Sequence, residues 1–303
     1  MPNEPTNGVV GRSRETELVV AALAARRHVV LEGPPGTGKS TLLRSVAESF
    51  GVSFVFVEGN AELTPSRLIG NFDPARVLDE GYAPSSFVDG PLVQALREGS
   101  LLYVEEINRI PEETLNVLVT VMSEGEITIP RYGVVKAGDG FRLVAAMNPF
   151  DAVGTARISS AIADRVCRVA MTYQSPEDEV AIVHHAIRTA VSGLDAGWIR
   201  GVVEVTRATR THPELRTGSS VRGAIDTVLV ASQLVTMRGS TSSVNECGKD
   251  AAIVSLSGRV RLREGVTRST EAIIEELWDQ QFASATEAPA GKASAPTGAH
   301  NNR

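Results

Sequence analysis

Short apolar runs recur along the first half of the chain, with amphipathic stretches between them. The runs at 28–31, 53–57, 101–104, 141–146 and 165–171 are rich in Val, Leu and Phe and too short for helices, so they read as strands. Between them, residues 14–25, 39–50, 91–98 and 111–123 space their apolar positions three and four apart, which gives a helix one face to bury. Strand alternating with helix predicts an α/β domain built on a parallel five-stranded sheet with helices on both faces. After residue 172 the strands stop. Ser175 stands as an N-cap, Pro176 takes the first helical position, and Asp178 follows where its carboxylate meets exposed amides. A helix to about residue 191 follows from this, and further helical patterns cover 197–207, 221–238 and 270–282. The expected organisation is a flexible N-terminus (1–8), a sheet domain (9–174), a smaller all-helical domain (175–282) and an Ala-rich tail (283–303). That tail has no apolar period and reads as disordered.

The chain has 303 residues, a length that fits two domains at roughly 150 each. Apolar residues at 42% and charged residues at 22% are ordinary for a soluble globular protein, which excludes collagen-like and wholly disordered classes. The net charge of −6 has the wrong sign for a module that coats nucleic acid. The longest early apolar run, 18–25, is far short of the roughly 20 residues needed to span a bilayer. The first residues lack a basic n-region and an apolar h-region, so the expectation is a cytoplasmic protein without membrane insertion. Cys167 and Cys247 form no disulfide framework and have no zinc-ligand spacing. His184 and His185 are adjacent, about 100° apart on a helix, and cannot share a metal. Arg259, Arg261 and Arg263 alternate, which suggests a basic face that is either solvated or turned toward an acidic partner.

Directly after the first strand comes Gly33-Pro34-Pro35-Gly36-Thr37-Gly38-Lys39-Ser40, a full Walker A pattern, with a helix beginning as it ends. Glycines at 33, 36 and 38 let the backbone turn its N–H groups inward around a phosphate. Lys39 reaches the β and γ oxygens of ATP, and Ser40 offers a hydroxyl to Mg²⁺. With Thr41 in the same helical turn, these residues form the expected nucleotide-binding set.

A P-loop needs a carboxylate for its metal at the end of another strand of the same sheet. The apolar strand at 101–104 ends in Glu105-Glu106, with one further candidate strand between it and the P-loop strand. That is the arrangement of NTPases in which a second acid polarises the attacking water. Glu106 fits the general base, and Glu105 fits the ligand of a magnesium-bound water. A glutamate where Asp is expected moves the carboxylate by roughly an ångström.

The run Glu105-Glu106-Ile107-Asn108-Arg109, followed by Pro111, resembles the Asp-Glu-Ile-Asn-Arg signature of MoxR-type AAA+ ATPases. These are relatives of the magnesium-chelatase motor subunit and of the gas-vesicle and nitric-oxide-reductase activator AAA+ proteins. Val10-Gly11-Arg12 resembles the family's adenine-side box, and Gly90-Pro91 and Asn148-Pro149 agree in order and spacing. The resemblance covers residues 9 to about 240. It implies an αβα P-loop fold of the AAA+ type with a helical lid, and Asn148 as the sensor 1 residue that orients water. Asp164-Arg165 resembles the family's Asp-Arg-Phe segment, with Val166 in place of Phe. Arg165 then becomes the finger that reaches a neighbouring subunit's nucleotide, with Arg157 and Arg168 as nearby competitors. Gly218-Ser219-Ser220-Val221-Arg222 resembles Gly-Ala-Ser-Pro-Arg, which makes Arg222 the sensor 2 candidate, although Val221 stands where the family has Pro. The family also carries a β-hairpin before sensor 1, here a strand at 126–130, a turn at 131–133 and a return at 134–136, and an insertion that fits 73–90. Tyr132 at the hairpin tip is either a substrate contact or a plain turn residue.

The resemblance further implies Mg²⁺-dependent ATP hydrolysis in a hexameric ring, a protein client and a partner with a von Willebrand A domain. Three rival functions remain: the motor subunit of a metal chelatase, a nucleic-acid or restriction-type motor, and a nucleotide-binding scaffold that hydrolyses nothing. Residues 51–130 hold four Arg against 13 acids, which argues against a channel for nucleic acid.

Overall fold

The computed structural model describes residues 9–149, 159–190 and 193–283. The expectations for 1–8, for nearly all of the tail and for Arg157 therefore lie outside the described residues. Two compact units divide the chain, Met1–Ile182 and Val183–Arg303.

The first unit opens with α1 (Ser13–Ala24), β1 (His28–Glu32), α2 (Lys39–Phe50) and β2 (Phe54–Glu58). It continues through α3 (Pro65–Ile69), β3 (Gly70–Phe72), α4 (Pro74–Glu80), β4 (Phe87–Asp89), α5 (Pro91–Glu98) and β5 (Leu101–Glu105). After β5 come α6 (Glu112–Glu124), β6 (Glu126–Ile129), β7 (Gly133–Lys136), β8 (Arg142–Met147), α7 (Ser160–Ala163), β9 (Val166–Ala170) and the start of α8 (Pro176–Ile187). Each strand and helix expected up to residue 171 is present within one residue at either end.

Five of these strands make one parallel sheet in the order β2-β5-β8-β1-β9. β5 and β8 are inner strands buried on both faces, which is why their sequences are unbroken apolar runs. β2 lies at an edge and alternates buried with exposed positions. Alternate residues of each inner strand feed two cores. Leu102 and Val104 pack with Leu92 and Leu96 of α5 and Leu118 of α6 on one face. Leu101 and Tyr103 pack with Val19 and Leu23 of α1 and Leu42, Leu43 and Val46 of α2 on the other. Burying each such aliphatic side chain contributes about 1.5–3 kcal/mol, so the αβα sandwich follows directly from the apolar pattern.

Two small hairpins stand apart from the main sheet. β6 and β7 pair antiparallel between α6 and β8, with Arg131 at φ 66° in the turn. β3 and β4 also pair antiparallel, so the 73–90 insertion is more than a loop: it carries α4 and returns as a strand beside β3.

The second unit holds the remainder of α8, then α9 (Ala196–Ala208), β10 (Leu215–Thr217), α10 (Val221–Arg238), α11 (Val244–Leu256), β11 (Arg261–Leu262) and α12 (Thr270–Ala283). α10 packs on α9 and α11, and α12 closes against the same two helices. Trp198, Trp278 and Phe282 form its aromatic centre, with the Trp278 and Phe282 rings 4.4 Å apart. The all-helical expectation needs one correction, because β10 and β11 pair antiparallel. The helix at α11, absent from the sequence reading, opens with a reciprocal capping box between Ser243 and Glu246. The alternating arginines do not form one open face, since Arg259 pairs with Asp226 and bonds the Ser255 carbonyl.

One buried group at the base of the sheet sets a pH response. His28 Nδ1 accepts the Leu143 N–H at 2.9 Å, tying β1 to β8. Burial, reinforced by the Arg142 guanidinium, holds its pKa at about 4 against an ordinary 6.5. A depressed histidine stabilises the fold fully above the unfolded pKa, and that stability drains away as pH falls from 6.5 toward 4. The loss expected from this one group is about 2–3 kcal/mol. Urea unfolding of the wild type and of His28→Gln between pH 7.5 and 4.5 measures it: the wild type should show the steeper decline, and parallel curves refute the assignment.

Candidate active site

All five strands of the main sheet run the same way, so their carboxyl ends share one edge, and the sequence-predicted phosphate and metal groups lie along it. The loop after β1 starts with the Gly33 N–H bonded to the Met147 carbonyl at the end of β8 (3.2 Å). Gly36 and Gly38 sit at φ 73° and 82°, left-handed values that a side chain resists. α2 follows at once, and the first amides of a helix, here those of Lys39, Ser40 and Thr41, have no intrahelical acceptor. Those amides, with the positive end of the helix dipole, make an anion cradle. Lys39 Nζ donates to the Gly33 and Pro34 carbonyls, both at 2.8 Å. Thr37 is fully buried and donates from Oγ1 to the Pro34 carbonyl, so it serves the loop's shape.

Behind the loop stands Arg12, only 3% exposed. Its guanidinium donates to the Thr37 and Thr172 carbonyls and pairs with Glu15 at 2.7 Å. The Val10-Gly11-Arg12 segment thus braces the P-loop from within the core.

The predicted metal oxygens are in contact. Ser40 Oγ donates to Glu105 Oε1 at 3.0 Å, so the longer carboxylate reaches the hydroxyl directly. A hydroxyl and a carboxylate this close suit a Mg²⁺ held by Ser40, with Glu105 on one of its bound waters. Magnesium is typically held by one or two protein oxygens together with phosphate and water. Among the described residues no group of three or more His, Cys, Asp and Glu could hold a metal. Tyr103, fully buried on β5, brings its hydroxyl to 3.1 Å from Ser40 Oγ. Burial pushes its pKa well above the ordinary phenol value. Sequence reading passed over Tyr103 as one apolar residue of a strand, and the available signal was a polar-tipped ring two positions before the carboxylate.

Glu106 follows β5 with φ 53°, a left-handed conformation that costs a non-glycine residue about 1–2 kcal/mol. The tight turn is packed from the side by Gly59 at the end of β2. Its N–H donates to the Glu105 carbonyl at 2.7 Å, and a Cβ there would fall 2.5 Å from the Glu106 carbonyl oxygen. Glu106 Oε2 pairs with Arg109 at 3.0 Å. Asn148 stands at the tip of β8, between the strands that carry the P-loop and the two glutamates, and its carbonyl accepts from Asn108 Nδ2 at 3.4 Å.

Arg165 and Arg168 do not join this cluster. Arg165 precedes β9 at the opposite edge of the sheet, where it donates to Ser123 Oγ (2.6 Å) and the Ala161 carbonyl (2.8 Å). Arg168 is committed to Glu32 through two bonds, which hold the Glu32 carboxyl below its usual range. Arg222 is exposed in the first turn of α10, in the second unit. Tyr132 folds back: Arg97 donates to its hydroxyl and lies over its ring, and Phe87 packs against it at 4.9 Å.

Strand order, phosphate cradle and paired glutamates together give a P-loop αβα sandwich, a fold like that of AAA+ proteins. Residues 28–166 match the AAA domain family, dynein-related subfamily. The uncharacterized protein YeaC of Bacillus subtilis is 29% identical over 241 residues, covering 72% of this chain and 72% of YeaC. An uncharacterized protein of Staphylococcus aureus USA300 is 35% identical over 149 residues, 48% of this chain and 56% of that one. Among solved structures, a RuvB mutant from Thermotoga maritima aligns over 84% of this chain and 72% of its own, with a TM-score of 0.56 at 16% identity. A candidate ATPase from Cytophaga hutchinsonii aligns over 90% and 91%, with a TM-score of 0.51 at 21% identity. Brucella abortus NtrX, solved with ADP, aligns over 74% of this chain and 49% of its own, with a TM-score of 0.51 at 18% identity. Identities this low speak for the fold alone. No helix among the described residues is long and apolar enough to cross a membrane.

The left-handed Glu106 yields a stability prediction. Glu106→Gly removes the backbone strain at the cost of glycine's entropy and one surface ion pair, so the variant should match the wild type or exceed it by up to about 1 kcal/mol. Chemical denaturation reads this directly, and a loss above about 1 kcal/mol contradicts the strain.

Proposed function

We propose that this chain is a Mg²⁺-dependent ATPase of the MoxR type that works as a hexameric ring on a protein client. The observation that carries the chemistry is the 3.0 Å contact between Ser40 Oγ and Glu105 Oε1, with Glu106 next in the chain. In this reading the loop amides and Lys39 hold the β- and γ-phosphates, and Ser40 and Glu105 hold the Mg²⁺. Bound Mg²⁺ supplies charge neutralisation on the phosphate oxygens. Glu106 leaves Arg109 to accept the proton of the attacking water, and Asn148 orients that water. Arg165 from a neighbouring subunit and Arg222 from the same chain meet the charge that develops on the γ-phosphate.

The client is read as a protein surface, remodelled or activated with a von Willebrand A domain partner, as the MoxR resemblance implies. The acidity of residues 51–130, four Arg against 13 acids, supports a protein over a phosphate backbone. RuvB, described as a Holliday junction branch migration motor, offers a likeness of fold alone at 16% identity. The cytoplasm is the compartment this reading assigns.

Phosphate release and nucleotide binding test the chemistry together. Lys39→Ala should lose nucleotide binding, and undiminished ATP affinity sinks the P-loop assignment. Glu106→Gln should bind ATP and lose turnover by at least about a hundredfold, in line with the contribution of a general base. Arg165→Ala should be inactive alone yet regain activity when mixed with Lys39→Ala subunits. No recovery at any ratio, with rings still forming, refutes a role across the interface.

A further inference from the structure

We infer that Tyr103 is a positioning residue for the metal of this site, compensating for the extra methylene that Glu105 carries in place of an aspartate. The inference rests on the proposed Mg²⁺-dependent reading and deepens it. Ser40 gives its proton to Glu105, so the proton facing the remaining lone pair of Ser40 Oγ comes from the Tyr103 hydroxyl, 3.1 Å away. Tyr103 therefore holds Ser40, and Ser40 in turn holds the Glu105 carboxylate.

The support beneath that hydroxyl is rigid. The Tyr103 ring is fully buried, with Phe54 at 5.4 Å and Phe56 at 5.6 Å, and Arg44 lies over Phe54. β5 holds its backbone between β2 and β8, in register with Phe56 and Val144. A glutamate has one more rotatable bond than an aspartate, and ordering that bond on metal binding costs entropy. A serine fixed by Tyr103 and bonded to that carboxylate removes part of this freedom in advance, which is how a supporting residue sharpens a site it does not itself enter. It also fixes the rotor of Ser40, so that the serine proton points at Glu105 and a lone pair is left for the metal.

The test is the affinity of the full chain for a fluorescent ATP analogue, measured in EDTA and across a Mg²⁺ series. Four proteins are compared: wild type, Tyr103→Phe, Ser40→Ala and the double variant. Tyr103→Phe keeps the ring and its packing, and a thermal melt checks the fold. It should raise the Mg²⁺ concentration that gives half-maximal tightening by about fivefold, the loss of one hydrogen bond, while affinity in EDTA stays the same. Because Tyr103 acts through Ser40, the double variant should respond to Mg²⁺ no worse than Ser40→Ala. An equal loss in EDTA, additive effects in the double variant, or no shift at all overturns the inference while the metal reading stands. A wild-type chain whose affinity ignores Mg²⁺ overturns both.

Discussion

The order of the parallel strands is the constraint on which the site depends. β8 lies between β1 and β5, so the loop after β1 and the glutamates after β5 flank the tip of a third strand. The Gly33 N–H bonds the Met147 carbonyl, and the Ser40 hydroxyl spans to Glu105. Neither contact is local in sequence, and the first requires β8 to adjoin β1. The two cores keep β5 and β8 inside the sheet, because both are apolar on both faces and cannot occupy an edge without exposing Leu102, Val104, Leu143 or Ala145. Packing energy spread over many aliphatic side chains thus fixes the positions of a few polar ones.

Much of this was legible in the sequence because its determinants are local. Strands and helices up to residue 171 followed from apolar period and from Gly and Pro at the ends, as where α5 runs from Pro91 to a left-handed Gly99. The P-loop was legible for the same reason, since its backbone geometry is written in glycines at 33, 36 and 38 of one short run. The α11 helix was equally local, with Ser243 and Glu246 at capping-box spacing, and it was missed because its apolar stripe is made of Ala, Cys and Gly and is hard to distinguish from a polar segment.

What the sequence could not supply were partners that meet only after folding. Arg12 reads as the last residue of a family box, and only the fold carries it to the Thr37 and Thr172 carbonyls. Tyr132 reads as a hairpin tip, yet Arg97 and Phe87 draw it back onto the insertion. Arg259 reads as one of three alternating cations, and Asp226 on α10 takes it. Tyr103 belongs to the same class: its ring satisfies the apolar pattern of β5, and its hydroxyl acquires meaning only when α2 brings Ser40 beside it.

The position of Arg165 carries the same logic beyond one chain. It enters β9 at the edge where β1 begins, with Val166 in register with His28, while the P-loop leaves β1 at the far end. Five residues of strand separate those edges, about 16 Å, longer than an arginine side chain can cross. Ser123 and Ala161 hold the guanidinium on its own side. The contact with nucleotide proposed for Arg165 is therefore one made to another copy of the chain, and on that proposal turnover is a property of the interface between subunits. Arg168, which lies nearer the P-loop edge, is already spent on Glu32 of its own sheet, and that leaves Arg165 the better placed of the two to complete a neighbour's site.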